Sequence, residues 1–272
     1  MTTSDFKIIQ NFLSQHCGIV LGDNKQYLVK NRLAGLLSIF DFSSFSELVN
    51  NIQMTGPMSL RLKTAVVDAM TTNETFWFRD DMQFHELKEK IFPEIFERKA
   101  GTVKVWSAAC SSGQEPYTIS MCAEDANKKI GKTRNVQIIG TDISETVLAE
   151  AKAAVYSELA LSRGLDAQTK SRFFQKIHEG YKLNPTIAGK VRFQPFNLLK
   201  PFSVLGHFDI IFCRNVLIYF SDDVKRDILS RMVNSLEPGG YIFLSSTEAM
   251  PVAIKGLEPV RSGGVRYFKK VS

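Results

Sequence analysis

The chain has 272 residues, 44% of them hydrophobic and 23% charged, which excludes a disordered chain and allows one large domain or a domain with a small companion. Lys and Arg number 34 against 28 Asp and Glu, and the net charge of +6 favours an acidic partner without naming one. The start MTTSDFKIIQ lacks a basic and then apolar signal pattern, and no run of 18 uncharged apolar residues occurs, so a cytoplasmic protein without membrane insertion is expected. Cys17, Cys110, Cys122 and Cys213 form no C-x-x-C pair, so no structural metal is expected.

Residues 1 to about 70 read as helices, because apolar residues recur at spacings of three and four. Phe6, Ile9 and Leu13 mark the first. Val29, Leu33, Leu36, Leu37 and Phe40 mark the second, with Lys25, Lys30 and Arg32 on its shoulders in a segment, 24–40, that contains no acid. Phe45, Leu48, Val49 and Ile52 follow a Ser44 to Glu47 capping box, and Pro57 opens a fourth helix reaching about Met70. A small helical domain, 1–72, is expected from this region.

From about residue 102 short apolar runs alternate with helical segments, the pattern of a parallel sheet wrapped by helices. Strands are predicted at Val103–Trp106, Val136–Thr141, Phe208–Cys213 and Tyr241–Ser245, with Val265–Phe268 closing an edge. Helices should follow Gln114, Ser144 and Ser221. The fold class is therefore α/β, a doubly wound Rossmann-like domain over 73–272. One segment interrupts it. Residues 170–192 hold six Lys or Arg against the single Glu179, with turns at Glu179-Gly180 and Asn184-Pro185, and read as an inserted antiparallel β subdomain at about 170–194.

In such a sheet the ligand lies beyond the carboxyl ends of the strands. The first candidate place is Trp106-Ser-Ala-Ala-Cys-Ser-Ser-Gly-Gln-Glu-Pro-Tyr117, whose small residues let backbone approach a ligand but whose lone glycine disfavours a dinucleotide fingerprint and hence a nicotinamide dehydrogenase. Glu115 reads equally as a partner for a cation or ribose and as a complement to the helix dipole. The second is Gly140-Thr-Asp-Ile-Ser144, where Asp142 suits two ribose hydroxyls better than a helix N-cap. The third is Phe208-Asp-Ile-Ile-Phe-Cys-Arg-Asn-Val-Leu-Ile-Tyr-Phe220, in which a buried strand runs into Arg214, Asn215 and Tyr219. Ahead of the sheet lies Met70-Thr-Thr-Asn-Glu-Thr-Phe-Trp-Phe-Arg-Asp80, whose aromatics read as core and whose Arg79 reads as a surface ion pair.

Taken in order, T-T-N-E-T-F-W-F-R-D, W-S-A-A-C-S-S-G-Q-E-P-Y, G-T-D-I-S, N-L-L and F-D-I-I-F-C-R-N-V-L-I-Y-F resemble the chemotaxis receptor glutamate methyltransferases, the CheR family, over essentially the whole chain. The resemblance implies S-adenosylmethionine as methyl donor, S-adenosylhomocysteine as product, and glutamates on the cytoplasmic methylation helices of chemoreceptors as acceptors. It implies that Asn73, Thr75, Arg79, Glu115 and Asp142 line the cofactor site. Asn197 and Leu198, with Cys213, Arg214 and Asn215, would surround its adenine end and far wall, and Arg79 and Tyr219 would face the reacting methyl. Lys25, Lys30 and Arg32 would meet the acidic receptor helices. The family's tethering of a receptor-tail pentapeptide on the inserted hairpin is not expected here, because Arg172-Phe-Phe-Gln-Lys-Ile runs directly into His178-Glu-Gly180 without a glycine-bearing loop. A monomer is expected. The competing readings are a non-catalytic receptor-binding protein on the same fold and a nucleic-acid methyltransferase, the latter supported only by the basic charge and lacking an aromatic-interleaved groove.

Overall fold

The computed structural model describes residues 1–250 and 254–271. Its first seventy residues form a four-helix unit: α1 (Thr3–Cys17), α2 (Gln26–Ile39, after a 3-10 turn at Asp23–Lys25), α3 (Phe45–Gln53) and α4 (Pro57–Met70). The apolar stripes read from the sequence meet inside it, with Ile9, Leu13, Val29, Leu33, Leu48, Leu62 and Val66 fully buried. Thr2 and Asp5 cap α1 reciprocally. At α3 the box is displaced by one residue: Ser44 accepts from Glu47 N, while the Glu47 carboxylate takes Ser43 N and Oγ. α1 stops at Gly18, whose φ of 77° is left-handed and whose Cβ, were there one, would lie 2.7 Å from the Phe220 ring. That glycine lets the helical unit approach the loop that carries Tyr219.

Ten strands follow among the described residues: β1 (Val103–Ala108), β2 (Val136–Asp142), β3 (Val155–Tyr156), β4 (Phe174–Ile177), β5 (Gly180–Leu183), β6 (Val191–Pro195), β7 (Phe208–Cys213), β8 (Leu236–Phe243), β9 (Leu257–Ser262) and β10 (Val265–Lys270). Seven make one sheet in the order β6-β2-β1-β7-β8-β10-β9, parallel from β6 to β8 and antiparallel beyond. The order reverses between β1 and β7, the switch point where a ligand crevice opens. β7 is buried at every position, which is why it reads as an unbroken apolar run, and its Asp209 is held by Lys99 Nζ at 2.7 Å and Lys104 N at 2.8 Å.

Three expectations are corrected here. β10 does not close the sheet. β9 lies outside it, and its Pro259 and exposed charges, which hid it in the sequence, are what an edge strand tolerates. β8 begins five residues before Tyr241, because Pro238, Gly239 and Gly240 form a register irregularity within the strand rather than a turn ahead of it. The inserted sheet has three strands, β3-β5-β4, and residues 191–195 leave it to pair with β2 as the far edge of the main sheet. Among the described residues no helix is long and apolar enough to cross a membrane.

Candidate functional site

A cleft opens at the switch point, over the carboxyl ends of β1, β2 and β7. Its walls come from distant parts of the chain: Cys17 and Ile19 after α1, the linker Thr71–Phe76 with Arg79, the β1 loop Ala109–Ser111 with Glu115, Asp142 at the end of β2, and Arg214–Val216 with Tyr219 and Phe220 after β7. Of the residues singled out in the sequence, Asn73, Thr75, Arg79, Glu115, Asp142, Arg214, Asn215 and Tyr219 line this one space.

Asp142 is buried. Its Oδ2 accepts Ser111 N at 2.8 Å and its Oδ1 accepts Ser144 N at 3.0 Å. The N-cap of the following helix (Glu145–Ala153) is Ser144, which accepts from Val147 N, so Asp142 is not spent on capping. Each carboxylate oxygen retains acceptor capacity for one of two adjacent hydroxyls. Burial raises the Asp142 pKa above its ordinary value, and the Asp68 charge adds to this, against the opposing backbone N–H groups.

Arg214 organises the opposite wall. Its side chain is 1% exposed and lies between two carboxylates, with Nη1 to Glu115 Oε2 at 2.8 Å and Nη2 to Asp80 Oδ2 at 2.8 Å. Nη2 also reaches the Arg79 carbonyl oxygen. The guanidinium sits 5.3 Å above the Phe84 ring, an orientation a lysine would not reproduce. Glu115 is therefore held by Arg214 and by Ser107 Oγ at 2.7 Å, more than a helix-dipole complement. For Asp80, burial opposes ionisation, but the hydrogen bond and charge of Arg214, with Ser246, outweigh it and hold the carboxyl below its usual range. Asp80 ties Arg214 to the end of β8 through Ser246 Oγ at 2.9 Å. In contrast to the surface ion pair read from its sequence context, Arg79 turns along the cleft. Its Nη1 donates to Glu74 O at 3.1 Å and the guanidinium lies 5.4 Å from the Phe76 ring.

The loop after β7 is fixed by a carboxylate that sequence reasoning missed. Buried Glu248 accepts Asn215 N at 2.8 Å, Leu217 N at 2.9 Å and Ser245 N at 3.1 Å, locking the turn that presents Tyr219. Asp80, also missed, follows an Arg that looked like surface, and nothing local marks either acid as buried in a network. Left-handed backbone concentrates here: Phe78, Asp80, Ala109, Ser111 and Asn215 have φ between 50° and 59°. For the Phe, Ala and Ser this is strain held by the surrounding contacts, as at sites that must place groups accurately.

Other expected residues lie elsewhere. Cys213 is fully buried in the apolar cluster of β7 and does not line the cleft, because its position on the strand points it into the core. Asn197 and Leu198 are also outside the cleft. The Asn197 amide spans to His16 O at 2.5 Å and to Leu199 N, joining the sheet to α1, and Leu198 packs in the core. Arg32 departs from its reading as a receptor contact. It donates to Met70 O at 2.7 Å, Thr71 O at 3.0 Å and Thr72 Oγ1 at 3.0 Å, closing the end of α4 onto the linker. Lys25 and Lys30 make no ion pair among the described residues, and Lys30 is exposed.

Taken together, the cleft suits a ribose-bearing ligand. Of the charged residues lining it, Glu74, Glu115 and Asp142 stand against Arg79 and Arg214, with Glu74 paired to Arg163 outside the lining and Glu115 to Arg214 within it. Among the described residues no cluster of His, Cys, Asp or Glu suits a metal ion.

Comparison with known proteins agrees with this geometry. The family model described as the CheR methyltransferase all-alpha domain matches residues 4–71, and that described as the CheR methyltransferase SAM binding domain matches residues 73–263. Chemotaxis protein methyltransferase 1 of Pseudomonas aeruginosa is 47% identical over 251 residues, covering 91% of this chain and 90% of that protein. The chemotaxis protein methyltransferase of Vibrio anguillarum is 44% identical over 273 residues, covering 99% and 98%. That of Escherichia coli is 34% identical over 257 residues, covering 91% and 85%.

Proposed function

The chain belongs to the CheR methyltransferase family, and from that premise we propose that it transfers a methyl group from S-adenosylmethionine to glutamate carboxylates on the cytoplasmic methylation helices of chemoreceptors, for chemotactic adaptation. The observation that carries this reading is the convergence of Arg79 and Tyr219, from loops more than a hundred residues apart, on the cleft that also holds Asp142.

S-adenosylmethionine supplies an electrophilic sulfonium methyl. The acceptor glutamate has an ordinary pKa of about 4.3, so it is ionised near neutral pH and needs no general base. Among the described residues no histidine lines the cleft. The work left to the protein is placement and exclusion of water. Asp142 holds the ribose hydroxyls, and Asn73 and Thr75 line the linker wall beside it. Arg79, pinned by one N–H to Glu74 O, keeps the rest of its fork for the substrate carboxylate. Tyr219 offers a single hydroxyl that orients the same group. Arg214 cannot collapse onto that carboxylate because Glu115 and Asp80 already hold it. Cys110, one of two thiols in the cleft wall with Cys17, stays protonated, since burial together with the Asp142 and Glu115 charges pushes its pKa well up, and burial likewise raises that of Cys17 to about 11, so neither competes for the methyl.

The experiment is transfer of label from methyl-labelled S-adenosylmethionine to receptor-bearing membranes. Wild type labels the receptor, whereas Arg79→Ala and Tyr219→Phe bind S-adenosylmethionine but transfer slowly. Wild-type binding to receptor without transfer would replace this reading by that of a non-catalytic receptor-binding protein.

A further inference from the structure

A second cleft is lined by Asp80, whose chain neighbour Arg79 lines the first. It lies at the carboxyl end of β8, lined there by Leu244, Ser245, Ser246 and Glu248, and on its other side by Met82, Val265, Phe268 and two arginines, Arg261 and Arg266. The topology explains why they are there. β10 runs antiparallel to β8, with Phe268 opposite Ile242, and β9 runs antiparallel to β10, so the tip of the β9–β10 hairpin returns to the edge of the sheet where the first cleft opens. Arg261 and Arg266 are directly opposed across that hairpin, and both are exposed. Like charges in that register repel. Among the described residues neither forms an ion pair; Arg266 donates to Glu248 O at 3.2 Å and its guanidinium lies 5.9 Å from the Phe268 ring. No nearby acid among the described residues forms an ion pair with them: Asp80 is committed to Arg214, Glu86 to Lys90, and Glu248 to three backbone N–H groups, while exposed Asp81 accepts Met82 N. Lys90 reaches the hairpin with its Nζ 3.0 Å from Ser262 Oγ, but its charge is paired with Glu86 at 3.4 Å.

We propose that the Arg261–Arg266 hairpin, with the apolar floor of Met82, Leu244, Val265 and Phe268, is a docking surface for the acidic substrate helix, holding carboxylates on the turns flanking the glutamate to be methylated. This rests on the substrate class proposed above. An amphipathic acidic helix supplies both the carboxylates that two unpaired guanidiniums attract and the apolar side chains that the floor accepts. The surface is separate from the α2 lysines, so one substrate helix is gripped on two sides of the reactive cleft.

The test is the double variant R261E/R266E, with the milder R261Q/R266Q as control for folding, assayed with a soluble receptor methylation-region fragment. The expected result is an apparent KM for the fragment raised about tenfold at low salt, shrinking at high salt, with kcat and S-adenosylmethionine affinity unchanged. Anisotropy of the labelled fragment should show the same weakening without turnover. An unchanged KM and anisotropy at low salt, or an equal loss of S-adenosylmethionine affinity, would overturn the proposal, as would an RNA oligonucleotide binding wild type more tightly than the fragment and losing that binding in the variant. Failure of wild type to methylate the fragment would instead overturn the proposed reaction, leaving anisotropy to decide the docking surface.

Discussion

Asp80→Asn is the most informative single change in this site. Asparagine keeps the size and hydrogen-bonding shape of the side chain and tolerates the left-handed φ of 59° at this position, so the substitution isolates charge from backbone strain. Its direct effect falls on Arg214, whose side chain is 1% exposed and whose two carboxylates are both at 2.8 Å. Removing one partner of a fully buried pair costs about 3–5 kcal/mol. Here Glu115 remains and the Asp80 side chain is 24% exposed, so solvent and the second carboxylate reduce the cost to about 1–2 kcal/mol. At the scale of a 150–250-residue domain that lowers Tm by roughly 2–8 °C. The functional loss should exceed the thermodynamic one in kind: with the Arg214 clamp slackened, the Phe78–Asp80 turn no longer fixes Arg79, and methyl transfer slows more than S-adenosylmethionine binding weakens. Thermal melts, calorimetric titration with S-adenosylhomocysteine and single-turnover methylation report the three quantities. Asp81→Asn, at an exposed neighbour, is the control and should stay within about 0.5 kcal/mol of wild type. If Asp80→Asn matches that control in stability and rate, the clamp does not position Arg79. The pH dependence follows the same pair. The folded-state pKa of Asp80 is depressed, so its contribution is present above the ordinary aspartate pKa of about 3.9 and is lost as pH falls through the lower folded value.

Asp142→Ala should weaken S-adenosylmethionine binding by about 1.5–3 kcal/mol, the range for hydrogen bonds to a charged acceptor, as read by calorimetry. Because the Asp142 pKa is raised, wild-type affinity should begin to fall on acidification at a higher pH than an ordinary aspartate would give, and Asp142→Asn should abolish that fall. Tyr219→Phe should leave cofactor affinity intact while lowering the single-turnover rate, since its hydroxyl acts in the ternary complex; an unchanged rate would return Tyr219 to packing. Lys25→Glu with Lys30→Glu should raise receptor KM with stability unaltered, whereas Arg32→Ala should lower Tm by unfastening the end of α4, a contrast visible in paired melts and KM measurements. A pentapeptide of the tethering type should give no heat beyond dilution on titration, and micromolar binding would show that the short β4–β5 connection accepts it.

The elements that were legible in the sequence share a physical cause. α4 from Pro57 to Met70 and β7 from Phe208 to Cys213 carry their own start and stop signals and a single burial pattern, so local spacing defines them. β9 was not legible, because an edge strand with Pro259 and exposed Glu258 and Arg261 is stabilised by its partner β10 and not by its own apolar face. The same division holds in the site. Asp142 could be placed because its position follows from strand and loop order alone. Asp80, Glu248 and the second role of Arg32 depend on contacts spanning 134, 33 and 38 residues, which no local pattern encodes. Cys213 and Asn215 sit two residues apart in one motif, yet the strand's alternation turns the first into the core, and the left-handed turn at Asn215 brings the second to the cleft.

The account's central claim is that the acceptor is a glutamate carboxylate. Mass spectrometry of the receptor methylation region after incubation with the protein and S-adenosylmethionine tests it most directly. The expected result is one added methyl on each of a few glutamates, released as methanol by mild alkali as an ester requires. Methyl groups on lysine, arginine or glutamine that survive the same alkali would contradict it.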